Sequence, residues 1–375
     1  MPLGGVKVLE FVGLAPGPLC GKILADFGAS VTRIDKVLDN SLDVLYHGKR
    51  TVVVDLKKTA GQQIVQQLAR KYDVIVEPFR PGVMEKLNLG PDLLCSANPR
   101  LIYARLTGFG QHGRLAPRAG HDLNYAAVSG VLSMLGREHE KPTAPINLLA
   151  DFAGGSVMCA LGICLALLER HKSGKGQVVD AAMADGAAYV ASWLFMSRKL
   201  NIWGQAQQRG TNLLDGGVYF YDTYETKDGL FMSVAALEPQ FFSLIKERLN
   251  LPQELSQYGE EHQVRGRQLL TDIFLTKTQA EWSEIFEDID ACVYPVVDWQ
   301  KVQNHDHNAA RQSFERVDDN WAPRPAPRLC RTPGKLRSST HFDVKSFLDE
   351  LDIKPEKLRQ LQEEAVLILP NRPKL

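Results

Sequence analysis

The first hundred or so residues constrain this chain most, because short β-branched runs there alternate with helical patterns. Val6 to Phe11, Val31 to Ile34, Thr51 to Val54, Val74 to Val76 and Leu101 to Leu106 read as strands. Between them, Pro18 to Phe27 reads as a helix, and Ala60, Ile64, Leu68 and Tyr72 recur at helical spacing. Strands separated by helices of this length need right-handed crossovers and a mostly parallel sheet covered on both faces. The fold class is therefore α/β.

The pattern changes further along. The uncharged run between Asp151 and Glu169 holds two adjacent glycines and reads as a buried core helix rather than a membrane span, ended by Ser173-Gly174-Lys175-Gly176. Val218 to Tyr224 and Phe231 to Ala236 read as strands joined through Lys227-Asp228-Gly229, with helical patterns from Pro239 onward. Ala322 to Pro333 holds four prolines in twelve residues and reads as an extended connector. The expected organisation is a large α/β domain over 1–186, a linker over 187–217, a smaller α+β domain over 218–310, and a connector with a C-terminal segment, 311–375, that returns to the large domain.

Composition excludes several classes. With 44 Lys plus Arg against 44 Asp plus Glu the chain has no excess charge to condense on phosphate, so a general nucleic-acid binder is not expected. The apolar fraction of 44% argues against disorder over most of the chain. Six dispersed cysteines form no CxxC pair, which argues against a disulfide framework and a zinc module. No secretory signal is visible at Met1, and membrane insertion is not expected. The terminal Pro373-Lys374-Leu375 resembles a peroxisomal address without its first residue; a peroxisomal location is the expectation, with mitochondrial or cytoplasmic ones as alternatives.

Individual motifs are ambiguous. Gly108-Phe109-Gly110-Gln111-His112-Gly113 fits the GxGxxG pattern, but Arg114, Pro117 and Gly120 follow where a nucleotide-binding helix should begin. The turn Gly13 to Pro18 is a better candidate for a loop that approaches a ligand. Taken alone, His121 reads as a loop residue before a helix capped by Asp122 or Asn124, and Asp151 as a helix cap. His305-Asp306-His307 lacks a third ligand at metal spacing and reads as a surface loop; no metal site is expected.

In combination these segments closely resemble the family III CoA-transferase superfamily, and within it the branch that racemises acyl-CoA thioesters. The similarity runs from about Val6 to Pro333 and is carried by long strings: LAPGPLCGKILADFGASVTRIDK from Leu14, EPFRPGVMEKLNLGP from Glu77, AGHDLNYAAVSGVL from Ala119, INLLADFAGGS from Ile146 and LEPQFF from Leu237. The resemblance implies a Rossmann-like large domain, an interlocked homodimer, and inversion at the α-carbon of a 2-methyl-branched acyl-CoA. No metal or redox cofactor is implied; coenzyme A enters as part of the substrate. His121 and Asp151 correspond to the two bases, on the S and R faces respectively, with Glu238 holding the imidazole and Asp122 as a second neighbouring carboxylate. The site is implied to form where the two domains meet. Backbone N–H groups near Gly154 and Gly155 are expected to steady the enolate. The implied CoA positions are Arg33, Lys36, Arg80 and Lys86 for phosphates, Val54, Asp55 and Leu56 for the adenine end, and Tyr125 near the thioester. Two other readings stay open: a CoA transferase with Asp151 as nucleophile, and a non-catalytic acyl-CoA-binding dimer.

Overall fold

The computed structural model describes residues 1–38, 42–200, 202–203, 208–337 and 344–370. Pro373-Lys374-Leu375 lies outside the described residues. The chain forms two compact units. The first comprises Met1–Ser129, Pro145–Ala191 and Ala310–Leu375, and the second Gly130–Ala144 and Ser192–Ala309. Residues 130–144, which the sequence pattern leaves in the large domain, thus belong to the second unit.

In chain order the first unit runs β1 (Lys7–Phe11), α1 (Pro16–Asp26), β2 (Ser30–Asp35), β3 (Lys49–Val54), α2 (Thr59–Lys71), β4 (Val74–Glu77), α3 (Val83–Lys86), α4 (Pro91–Ala97), β5 (Ile102–Thr107) and α5 (Asp122–Val128). A π-helix, Leu148–Val157, then continues into α6 (Met158–Ser173), followed by β6 (Val178–Ala182) and α7 (Met183–Val190). The second unit carries α8 (Ser192–Met196), β7 (Tyr221–Glu225), β8 (Phe231–Ala235), α9 (Pro239–Arg248), α10 (Glu260–Phe274), α11 (Gln279–Phe286), β9 (Val293–Pro295) and α12 (Asp306–Ala310). The chain returns to the first unit as β10 (Phe314–Val317), β11 (Asn320–Pro323), α13 (Val344–Leu351), α14 (Pro355–Glu363) and β12 (Leu367–Ile368).

The central sheet has the order β12-β3-β2-β1-β4-β5-β6, parallel except for the edge strand β12. Strands β4 and β5 are buried along their whole length, as expected for a sheet covered on both faces. Strand β1 is a branching point: β2 lies on one side and β4 on the other. Loops leaving β1 and β4 diverge there and open a crevice at the carboxyl edge.

The C-terminal segment completes this unit. Phe347, Leu351, Leu361 and Leu367 join the core formed by Leu9, Ile75 and Tyr103, and Leu367 pairs with Val54. The connector expected from Ala322 does not begin there: Ala322 and Pro323 close a hairpin, β10–β11, which no turn or strand signal singled out in the sequence.

The helix Leu148–Ser173 is long and apolar enough to cross a membrane by length and composition. One face, with Cys159, Ala160, Ile163 and Ala166, is buried; the other leaves Val157, Leu161, Leu165 and Leu168 exposed. The expected core helix is therefore buried on one side only. In the second unit, β7-β8-β9 form an antiparallel sheet covered by helices around Tyr219, Met232, Phe274 and Trp282.

Candidate active site

The crevice beside β1 is a cavity of about 350 Å³. Its wall takes Gly13 and Leu14 from the turn after β1, Pro78 and Arg80 from the turn after β4, and Thr107 from the end of β5. His121, Tyr125 and Asp151 also line it, so the imidazole-bearing and carboxyl-bearing residues share one cavity.

Each is placed by an identifiable device. His121 takes the extended conformation at the cap position of α5, and the Asn124 side-chain carbonyl accepts its backbone N–H at 3.1 Å. Asp122 and Asn124 fall inside the helix, not at its cap. Asp151 is likewise not a cap: it stands in the first turn of the π-helix, which begins at Leu148 after Asn147 in the left-handed region at φ 59°. That conformation brings Asn147 Nδ2 to donate to Asp151 Oδ2 at 2.8 Å.

The Asp122 carboxylate faces this π-helix. Its Oδ1 accepts the backbone N–H of Ala150 at 2.7 Å and of Asp151 at 2.9 Å. A single oxygen therefore couples the start of α5, where His121 sits, to the backbone that carries Asp151. It also takes two of the N–H groups that a helix start would otherwise offer to an anion. Gly154 and Gly155, expected to flank free donors, lie inside the π-helix. Gly154 is pressed against α7, where a Cβ on Gly186 would sit 1.8 Å from the Gly154 carbonyl oxygen.

Burial pushes the Asp151 carboxyl above the ordinary carboxylate range. The charge of Asp122 adds to this, while the Asn147 amide and His121 oppose it. Tyr125 is also raised, by burial and then by Asp151, with Arg80 opposing. Its hydroxyl donates to the Gly120 carbonyl, and its ring meets Phe109 edge-on at 4.9 Å between centroids. Gly108 makes this possible: a Cβ there would stand 2.1 Å from Tyr125 Cε1. The GxGxxG string thus serves packing and turns, and the next helix starts only at Asp122.

Among the positions implied for coenzyme A, Arg80 and Tyr125 line the cavity. Lys36 follows β2 and Lys86 ends α3, both exposed; Asp55 and Leu56 follow β3, so these positions share the sheet's carboxyl edge. Val54 is buried and pairs with Leu367 of β12 in the sheet, and the Asp55 N–H donates to the Val366 carbonyl at 3.0 Å. Arg33, only 2% exposed, is paired with Asp35 and Asp43 and so presents no free charge to a phosphate. Glu238 stands in the second unit, exposed at the cap position of α9. His305 to His307 lies at the start of α12.

Three features were not apparent in the sequence: the Asn147 bond to Asp151, the grip of Asp122 on the π-helix, and a buried pair at the mouth of the sheet. That pair is Arg105 with Glu77, at 2.7 Å, with the exposed Glu85 also 2.7 Å from Arg105, and burial pushes Glu77 up to about 7 against the pull of Arg105. The INLLAD string held the only signal for the first, since Asn147 and Asp151 are spaced four apart.

A parallel sheet with its ligand crevice at the branching strand defines the broad class. The chain belongs to CoA-transferase family III, whose sequence profile matches residues 3–340. It is 47% identical over 376 residues to the alpha-methylacyl-CoA racemase of Homo sapiens, covering 98% of each chain. A succinyl-CoA–D-citramalate CoA-transferase of Chloroflexus aurantiacus is 28% identical over 98% of each chain. The fold matches the crystal structure of a CAIB/BAIF family protein from Brucella suis with a TM-score of 0.78 at 24% identity, covering 94% of this chain and all of that one.

Proposed function

We propose that this protein racemises 2-methyl-branched acyl-CoA thioesters with His121 and Asp151 as two bases, one taking the α-proton and the other delivering its own proton to the opposite face. The observation that carries the reading is that these two groups line one cavity, one of them a carboxyl that burial makes easier to protonate. One group takes the proton, the bonding pair delocalises onto the thioester oxygen as an enolate, and the other group returns a proton. The carbon is neither oxidised nor reduced, so the step balances without a metal or redox cofactor. Histidine suits either direction because its ordinary pKa, near 6.5, keeps both forms accessible. Glu238 is read as the carboxylate that orients the imidazole, and the basic residues along the carboxyl edge as partners of the CoA phosphates.

A CoA transferase is the competing reading. That branch carries a flexible glycine-rich loop over its nucleophile. Here Asp215-Gly216-Gly217 is tied down: the Asp215 carboxylate accepts the N–H of Gly210 at 2.8 Å and of Asn212 at 2.8 Å. This favours the racemase.

We further infer a homodimer. The exposed apolar stripe Val157, Leu161, Leu165 and Leu168 supports it, since such a row on one helix face favours burial against another chain.

The test is incubation of each epimer of a 2-methylacyl-CoA in D₂O. Both should gain deuterium at the α-carbon and converge on one mixture, and His121→Ala and Asp151→Asn should each slow the interconversion of the epimers by about 10²–10⁴. Transfer of CoA to an added carboxylate without exchange would select the transferase. Sedimentation should give twice the chain mass.

A further inference from the structure

The reaction proposed above makes negative charge on the thioester oxygen, and several of the cavity's donors are already engaged. The N–H groups of Ala150 and Asp151 go to Asp122, and the Tyr125 hydroxyl goes to the Gly120 carbonyl. His121 and Asp151 serve as the proton acceptor and donor. Thr107 is different. It lines the cavity and is 7% exposed, yet its Oγ1 is buried with no hydrogen-bond partner. Buried hydroxyls are normally satisfied, so an unpaired one in a cavity wall points to a partner that arrives with the ligand.

Its neighbours fix where it sits. Leu106, just before it, approaches the π-helix, because a Cβ on Gly155 would lie 3.5 Å from Leu106 Cδ1. Gly108, just after it, abuts the Tyr125 ring. Thr107 therefore lies in the chain between a residue that approaches the π-helix and one that abuts Tyr125 of α5, in the wall of the cavity that His121 and Asp151 also line.

We propose that the Thr107 hydroxyl donates a hydrogen bond to the thioester oxygen and strengthens it as that oxygen becomes an enolate. This rests on the racemase reading. The hydroxyl keeps its proton throughout; it stabilises charge and transfers nothing. A buried donor of this kind acts mainly in the transition state, so its removal lowers kcat more than it raises KM.

The test is α-proton exchange of a 2-methylacyl-CoA in D₂O by the full-length protein and by Thr107→Val and Thr107→Ser. Valine keeps the branched shape and removes the donor; kcat should fall about 10²–10³ with KM within a few-fold. Serine should restore most of the rate. A purely packing role predicts the reverse, with valine tolerated and serine impaired. If the unmodified protein exchanges and Thr107→Val matches it within threefold, or if serine restores nothing, this inference is overturned and the racemase reading stands. If the unmodified protein does not exchange, both fall. Should valine prevent folding, Thr107→Ala against Thr107→Ser gives the same comparison with the extra methyl absent from both.

Discussion

Replacing Asp122 tests its grip on the backbone that carries Asp151. Asp122 is 2% exposed and its Oδ1 holds two backbone N–H groups, at 2.7 and 2.9 Å, of residues that are themselves buried. In Asp122→Ala both donors lose their acceptor. Two charge-assisted bonds at about 1.5–3 kcal/mol each, less the desolvation cost that leaves with the carboxylate, give a net loss of about 3 kcal/mol. At a urea m-value of about 3 kcal/mol/M, the unfolding midpoint should fall by about 1 M. Asp122→Asn keeps the Oδ1 acceptor and should lose about 1 kcal/mol or less, since the bonds survive without their charge. The asparagine variant should also move the titration of Asp151. The Asp122 charge contributes to raising that carboxyl, so its removal should shift the acid limb of kcat/KM for α-proton exchange to lower pH. Urea unfolding and a pH–rate profile measure the two effects. The reasoning fails if alanine unfolds at the midpoint of the unmodified protein, or if asparagine is as damaging as alanine.

Other parts of the architecture give equally direct expectations. Gly186→Ala would place a Cβ 1.8 Å from the Gly154 carbonyl oxygen, backbone that cannot move aside without displacing the π-helix; overpacking of at least about 1–3 kcal/mol should lower Tm by several degrees in a thermal melt. Gly108→Ala should push the Tyr125 ring out of place and slow exchange while leaving the urea midpoint less affected than in Gly186→Ala, because a side chain yields where backbone does not. Burial raises Glu77 from 4.5 to about 7, so its contribution to stability is complete below about pH 4.5 and is lost as the pH rises through about 7. Arg105→Met removes the cation that opposes this rise and should cost about 3–5 kcal/mol with the carboxylate ionised; the loss should be greater at pH 8 than at pH 5, and equal urea midpoints at the two would contradict the assignment.

How legible these features are in the sequence depends on whether their cause is local. The parallel strands are legible because burial on both faces demands unbroken apolar runs such as Val74 to Val76, which leave little choice of period or partner. His121 and Asp151 are recognisable because long strings surround them, although each taken alone looks like a helix-start residue. What is hidden is whatever depends on a distant partner. The edge strand Leu367–Ile368 is two residues long and exists because β3 offers an open edge; no local pattern could announce it. The π-helix is hidden in the same way. Its composition suits an α-helix, and what distinguishes it is its surroundings: Asn147 in the left-handed region, Asp122 holding two N–H groups from 28 and 29 residues away, and α7 pressed against Gly154. Those same three constraints set where the Asp151 carboxyl stands in the cavity. The least legible part of the fold is therefore the part that places the Asp151 carboxyl, because placing it takes contacts from several separate segments, and a string carries only its own residues.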